Sequence, residues 1–409
     1  MTLKVLSRQI TAKELALGEN FSFSDLLGSN SAAFIHNHQG LIGWGEAQRL
    51  EATGPNRILE LDQAWRELVA QAEIADEVNL PGTGLISFGS IAFANQSQTK
   101  SVLVIPNVVV GLRDGVLWLT TVNVTVAEAL EMIDLQSGFV SAHFEQGTIS
   151  TEQYKVNVDK ALEAISSHQV EKVVLARDLV ATVPTDFNIN PALKKLEAKF
   201  DTCYIYSVAG MFGASPELLV KVASSQVSAR VLAGTAGRGT DPSVDAAIGA
   251  ALNGSPKNRV EHKFAIDSLV QALEPLCEEV TVDAEPFSIK LPNLWHLASD
   301  VTAVLKADSS SLQVVSALHP SAAVAGTPKD KALELIQEIE GIDRGRYAGP
   351  VGWLGADGDG VWAIALRGAQ LTGEKLTAFA GCGIVASSDS QAELDEAILK
   401  FKPIVDSLS

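Results

Sequence analysis

Carboxylates on two helices make the strongest pattern of chemistry-bearing residues in this sequence. Glu261-His262 lies early in one predicted helix, and Glu393 and Glu396 stand three apart on the last one. That spacing places both glutamates on one face, with Lys400 a further turn along. Oxygen donors without neighbouring metal-spaced cysteines suit a hard cation. Magnesium typically takes one or two carboxylates, keeps waters and completes its shell with substrate oxygens. The plainer and commoner reading of Glu393, Glu396 and Lys400 is an ion-paired helix surface.

Lys172 opens the run Lys172-Val-Val-Leu-Ala-Arg177. As a strand, this puts Lys172, Val174 and Ala176 on one face. A partly desolvated lysine there keeps some neutral amine, able to take a proton from water; taken alone, such a lysine is more often a solvated strand end. Glu217 follows Phe212-Gly-Ala-Ser-Pro216 and leads into an apolar strand. A carboxyl against apolar neighbours retains its proton towards neutral pH, as a general acid must. Solvent at a strand edge is the other reading.

Leu232-Ala-Gly-Thr-Ala-Gly-Arg-Gly239 offers backbone N–H groups to an anion. It lacks the Gly-Lys-Ser/Thr ending of a phosphate loop and equally reads as a flexible loop. His296 and His319 sit in apolar surroundings, where a satisfied core histidine is the default. Arg367, expected inside a strand, needs a partner: a substrate carboxylate or an internal acid. Cys382, between Gly381 and Gly383, reads as a nucleophile or, more commonly, as small buried filler. Tyr347 completes the candidates.

The elements that must position these residues follow from periodicity. Strands are expected at 86–93, 101–105, 116–122, 170–177, 204–208, 218–223, 349–354, 361–369 and 375–381, and a hairpin turns at 38–40. Helices are expected at 57–77, 151–167, 258–273, 330–340 and 391–407. Residues 210–256, rich in Gly, Ala, Ser and Thr, read chiefly as a substrate-facing loop. Consecutive hairpins and meanders, not strict β-α-β alternation, point to an α+β class: antiparallel or mixed sheets with helices outside.

The formal net charge is −18 over 409 residues. Lys and Arg are too few and too scattered for a phosphate-tracking stripe, which argues against nucleic acid. No apolar run is long enough to span a membrane, and the start lacks a signal-peptide core. Three widely separated cysteines suit a reducing, cytoplasmic setting. If the substrate is an anion, an acidic protein must gather cations around it.

These segments, in this order, resemble the chorismate-binding enzymes. The resemblance rests on Lys172-Val-Val-Leu-Ala-Arg177, Gly213-Ala-Ser-Pro-Glu217, Leu232-Ala-Gly-Thr235, Glu261-His262, Leu294-Trp-His296, Leu318-His-Pro320, Gly326-Thr-Pro328, Asp343-Arg344, Ala380-Gly-Cys-Gly-Ile-Val385 and Glu393-Leu-Asp-Glu396. It covers about residues 170–403, and more loosely Gly43-Trp-Gly-Glu-Ala47.

It implies a large α/β sandwich with residues 1–145 as a supporting half and 146–409 as the chorismate-binding half, intertwined in one unit. It further implies Mg2+ held by Glu261 and Glu396, with Glu393 close by or acting through water. Tyr347 and Arg367 would grip the enolpyruvyl carboxylate. Gly234, Thr235, Gly381 and Gly383 would be further anion donors, and His296 and Lys400 would bind substrate. Lys172 is similar to the base of the water-using members, with Glu217 as the acid, which implies isochorismate synthesis. Salicylate synthesis, or an anthranilate or aminodeoxychorismate synthase large subunit, is the alternative. Isochorismate feeds menaquinone or catechol siderophores, and a monomer or a homodimer fits either. One departure is Asn258, where several relatives carry an acid.

Overall fold

The apolar run that begins at Lys172 forms a strand, Lys172–Thr182, buried along most of its length. It pairs antiparallel with Lys375–Ile384, from Val173 opposite Ile384 to Thr182 opposite Lys375. The computed structural model describes residues 1–409 except 1, 19, 29–30, 136–140, 240 and 291–293. The side chains of Thr235, Lys257, Glu261 and Leu294 also lie outside the described residues. Contacts divide the chain into two units: residues 1–217, 319–356 and 363–409, and residues 218–318 with 357–362.

In the first unit, one sheet runs in the order Lys172–Thr182, Lys375–Ile384, Gly368–Thr372, Met211–Ser215, Tyr204–Val208, Ala32–His36 and Gln39–Trp44, and continues through Val108–Arg113 and Val116–Val122 to Lys4–Gln9. One face is covered by the helices Asn190–Lys199 and Ser390–Ser407. Leu193, Leu196, Phe401 and Ile404 there pack on Ala214, Ala369, Ala378 and Ala380. Small side chains on that face let the helices approach closely, and burying each large apolar side chain contributes about 1.5–3 kcal/mol. The helix expected over 57–77 ends at Val69, and Glu73–Asp76 instead pairs parallel with Lys4–Gln9. That pairing overrides the helical spacing and makes the sheet mixed.

In the second unit, Leu218–Ala223, Gln226–Gly237, Leu294–Leu305 and Cys277–Val282 pair antiparallel. Residues 210–256 are therefore mostly regular structure and not a loop. Gln226–Gly237 is a long strand and Pro242–Gly254 a helix capped by Asp241. Two features hid this. The strand is glycine-containing, and Pro242 at the start of a helix is favourable.

The outer edge of Lys172–Thr182 has strand partners only near its two ends, where Lys172 and Val173 pair with Thr327 and Gly326 and where Leu179 and Val180 pair with Gln146 and Glu145. Between them, a buried ion pair supplies hydrogen bonds. Glu340 accepts the Ala176 N–H at 2.7 Å, and Arg344 donates to the Val174 carbonyl at 2.6 Å and the Val324 carbonyl at 3.1 Å. Arg344 Nε donates to Glu340 at 2.9 Å, with the guanidinium 4.5 Å from the Phe93 ring centre. Burial pulls the guanidinium down, but the Glu340 charge and hydrogen bonds hold it above its ordinary value. Glu340→Ala leaves a buried cation without its counter-charge. It should lower unfolding stability by ~3–5 kcal/mol, read from denaturant midpoints, with Lys331→Ala on the same helix's surface nearly silent.

Candidate active site

Within the first unit, neighbouring strands bring together residues far apart in sequence. Lys172 is half-buried at the first position of its strand. A Cβ on Gly383 would lie 2.9 Å from its Cε and 3.6 Å from its Nζ, so glycine leaves the lysine room over the sheet. Glu217 lies just past Met211–Ser215, after Pro216. The Ser215 hydroxyl donates to the Ile364 carbonyl at 2.5 Å, the Glu217 N–H donates to that hydroxyl at 3.2 Å, and the Ile364 N–H donates to the Glu217 carbonyl at 3.0 Å. The side chain is half-buried, and burial pushes its carboxyl up from the ordinary range, against the charges of Lys172, Lys400 and Arg367. Those same charges mark the four groups as neighbours.

Arg367 is not inside a strand, as expected, but in the turn between Gly360–Ile364 and Gly368–Thr372, at φ 50°. This left-handed conformation is uncommon for a side chain other than Gly, Asn or Asp. No carboxylate among the described residues pairs with its guanidinium. Tyr347 is buried and stacks on Phe379 with ring centres 5.0 Å apart. Burial pushes its hydroxyl far up, while Arg344 and Arg367 pull the other way, so it remains a donor.

The helix Ser390–Ser407 carries Glu393, Glu396 and Lys400 on one face, as their spacing predicts. Lys400 Nζ lies 2.6 Å from Glu396 Oε1 and donates to the Gly381 carbonyl at 3.0 Å. Glu393 accepts the Ser388 hydroxyl at 2.6 Å. Burial pushes its carboxyl up, the Ser388 hydrogen bond pulls it down, and the like charge of Glu396 adds to the rise. One ligand atom each from Cys382, Glu393 and Glu396 lies within 4.8 Å of the others. Burial holds the Cys382 thiol at about 11. A thiol protonated near neutral pH fits buried filler, and Glu393 and Glu396 are the oxygen donors of the group. Two like charges this close suit a hard divalent cation.

The second unit holds most of the remaining candidates. Gly234 is skipped in the register between Ala233 and Thr235, at φ 77°. It forms a bulge, and a Cβ there would lie 3.1 Å from Asn258 Cβ. His296 is half-buried, in register with Thr235. His262 donates to the Ala233 carbonyl at 3.1 Å and accepts from Ser299 at 2.9 Å, a satisfied core histidine. Glu261 lies in the helix Pro256–Leu273; its side chain and that of Thr235 lie outside the described residues. Asp245 accepts from Arg238 at 2.7 Å and from Trp295 at 2.9 Å, which pins the strand ends beside Gly237 and His296. In the first unit, His319 is buried as expected and pairs with the Phe93 carbonyl at 2.9 Å.

Three residues gained no separate role from the sequence. Thr327 faces Lys172 across the strand pair. Phe379 shares the strand face of Gly381 and Gly383, a period-two signal that could have found it. Tyr206 carries no spacing signal.

The family described as "Chorismate binding enzyme" matches residues 23–409. A relative from Mycobacterium tuberculosis (strain ATCC 25618 / H37Rv), named putative isochorismate synthase MenF, is 40% identical over 271 residues, 62% of this chain and 73% of the relative. The salicylate biosynthesis isochorismate synthase of Pseudomonas aeruginosa is 30% identical over 394 residues, 90% of this chain and 82% of the relative. The solved structure of a putative 2,3-dihydroxybenzoate-specific isochorismate synthase, DhbC from Bacillus anthracis, is similar with a TM-score of 0.70 and 27% identity, covering 98% of this chain and 99% of that one. On this match, which spans nearly the whole sequence, the chain belongs to the family of chorismate-binding enzymes.

Proposed function

We propose that this chain converts chorismate to isochorismate. The observation that carries the reading is the pairing, in one unit, of a half-buried Lys172 with a Glu217 whose carboxyl burial has raised. Lys172 Nζ takes a proton from water as the water oxygen bonds to ring C2. The ring double bonds shift, the C4–O bond breaks, and Glu217 gives its proton to the departing hydroxyl, which leaves as water. One water enters and one leaves, so the reaction is an isomerisation. Relatives named isochorismate synthase over most of this chain support it.

Tyr347 and Arg367 hold the enolpyruvyl carboxylate, and the absence of an acid partner for Arg367 among the described residues supports this. Gly234, Thr235, His296, Gly381, Gly383 and Lys400 are further substrate contacts. Glu396 would hold magnesium, with Glu393 close by, and the family resemblance implies Glu261 as a further ligand. The ion would supply a counter-charge for the ring carboxylate. Residues 1–145 act as support, since every residue given a role lies beyond them. Among the described residues no helix is long and apolar enough to cross a membrane. The three unpaired cysteines favour a reducing cytoplasm.

Incubation with chorismate and magnesium should yield isochorismate as the dominant product. Stoichiometric salicylate and pyruvate, or an ammonium-dependent product that survives Lys172→Ala, would replace this reading with another of the family's reactions.

Lys172→Ala and Glu217→Gln should each lower kcat by about 10²–10⁴-fold with unchanged circular dichroism. Glu217 acts protonated, and burial raises its carboxyl, so the alkaline limb of the pH profile should fall as pH climbs through that raised value. Glu217→Gln should lack this limb; its persistence would assign the limb elsewhere.

Glu396→Gln should raise the magnesium concentration needed for half-maximal activity about 10–100-fold and weaken magnesium binding in calorimetry. An unchanged titration would remove Glu396 from the ligands.

A further inference from the structure

Arg367 reaches its position through a strained turn, and that turn has an identifiable brace. Tyr206 lies in the strand Tyr204–Val208, opposite Gly213. Gly213 in turn lies opposite Gly368. These three positions form one row across three strands, and cross-strand partners point to the same face. The phenol is fully buried along this row, and its hydroxyl donates to the Leu366 carbonyl at 2.9 Å.

The two glycines leave no doubt about the space required. A Cβ on Gly213 would lie 2.7 Å from the Tyr206 hydroxyl, and one on Gly368 would lie 2.3 Å from it. Any other residue at either place would drive the phenol out of the row. The neighbouring bonds complete the turn. Ala214 N–H donates to the Arg367 carbonyl at 3.3 Å, and Leu366 N–H donates to the Ile364 carbonyl at 2.7 Å. The carbonyls on both sides of the Arg367 nitrogen and carbon are thus each held, the first by Tyr206 and the second by the strand Met211–Ser215. Left-handed backbone at a non-glycine residue costs on the order of 1 kcal/mol and persists only where its surroundings over-determine it.

We propose that Tyr206 is a positioning residue for Arg367: its hydroxyl, seated over Gly213 and Gly368, fixes the Leu366 carbonyl and holds the turn that aims the guanidinium at a substrate carboxylate. Tyr206 touches no reacting atom. The proposal rests on the reading of Arg367 as a carboxylate-binding group. A group that only orients a binding residue should affect affinity for substrate far more than the chemical step.

The test is a double-mutant cycle in steady-state kinetics with chorismate and saturating magnesium. Tyr206→Phe removes one oxygen and keeps the ring. It should raise KM about tenfold while kcat stays within about twofold. Arg367→Ala should raise KM by at least as much, and adding Tyr206→Phe to it should change KM no further, because the brace then has nothing to aim. If Arg367→Ala leaves KM unchanged, the carboxylate-binding reading itself fails. If Arg367→Ala raises KM but Tyr206→Phe does not, or if the two effects simply multiply, the brace is refuted and the reading of Arg367 stands. Should Tyr206→Phe not fold, Tyr206→Met fills similar space with a flexible side chain and carries the same expectations.

Discussion

A strand edge carries unmet hydrogen-bonding groups, and burying such an edge without partners is costly. The strand that carries Lys172 faces this constraint. Its inner edge pairs throughout with Lys375–Ile384, whereas its outer edge has strand partners only at Lys172 and Val173 and again at Leu179 and Val180, with the middle left open. Glu340 and Arg344 take over there, bonding the Ala176 N–H and the Val174 carbonyl. An ion pair thereby does the work of a further strand. The register of Lys172 against Thr327, and of its strand against Gly381 and Gly383, is set on that one strand.

Charge organises the site in a second way. A protein of formal net charge −18 concentrates Lys172, Lys400 and Arg367 around one half-buried carboxyl. Lys400 is shared between the Glu396 carboxylate and the Gly381 carbonyl. Its position therefore reports on the carboxylates of the last helix and on the glycine strand together. Local cations offset a long-range field that would otherwise repel a dianion.

Much of this was legible beforehand, for reasons that differ residue by residue. Glu393, Glu396 and Lys400 were readable because three- and four-residue spacings on a helix fix a shared face without tertiary information. Lys172 and Gly381 were readable as strand positions through period two, while Gly383 lies past the strand expected at 375–381; the family resemblance made the base reading of Lys172 outweigh a solvated strand end. Arg367 was misplaced because Ala365-Leu366-Arg367 has the composition of a strand, while the carbonyls that bend it are held by Tyr206 and Ala214, over 150 residues away. The helix Pro242–Gly254 was hidden by small residues that read equally as loop. Glu340 and Arg344 drew no structural role because nothing local announces a side chain that substitutes for a strand.

The pairing of Lys172–Thr182 with Lys375–Ile384 also has a consequence for biosynthesis. The two strands lie about 200 positions apart, so the earlier one leaves the ribosome long before its partner exists. Throughout that interval a run of valine, leucine and alanine must be kept from pairing with other nascent chains. The intervening segment 218–318 closes its own strands from nearby sequence and can be formed early. The unit that carries the base is thus completed only after Lys375–Ile384 has emerged.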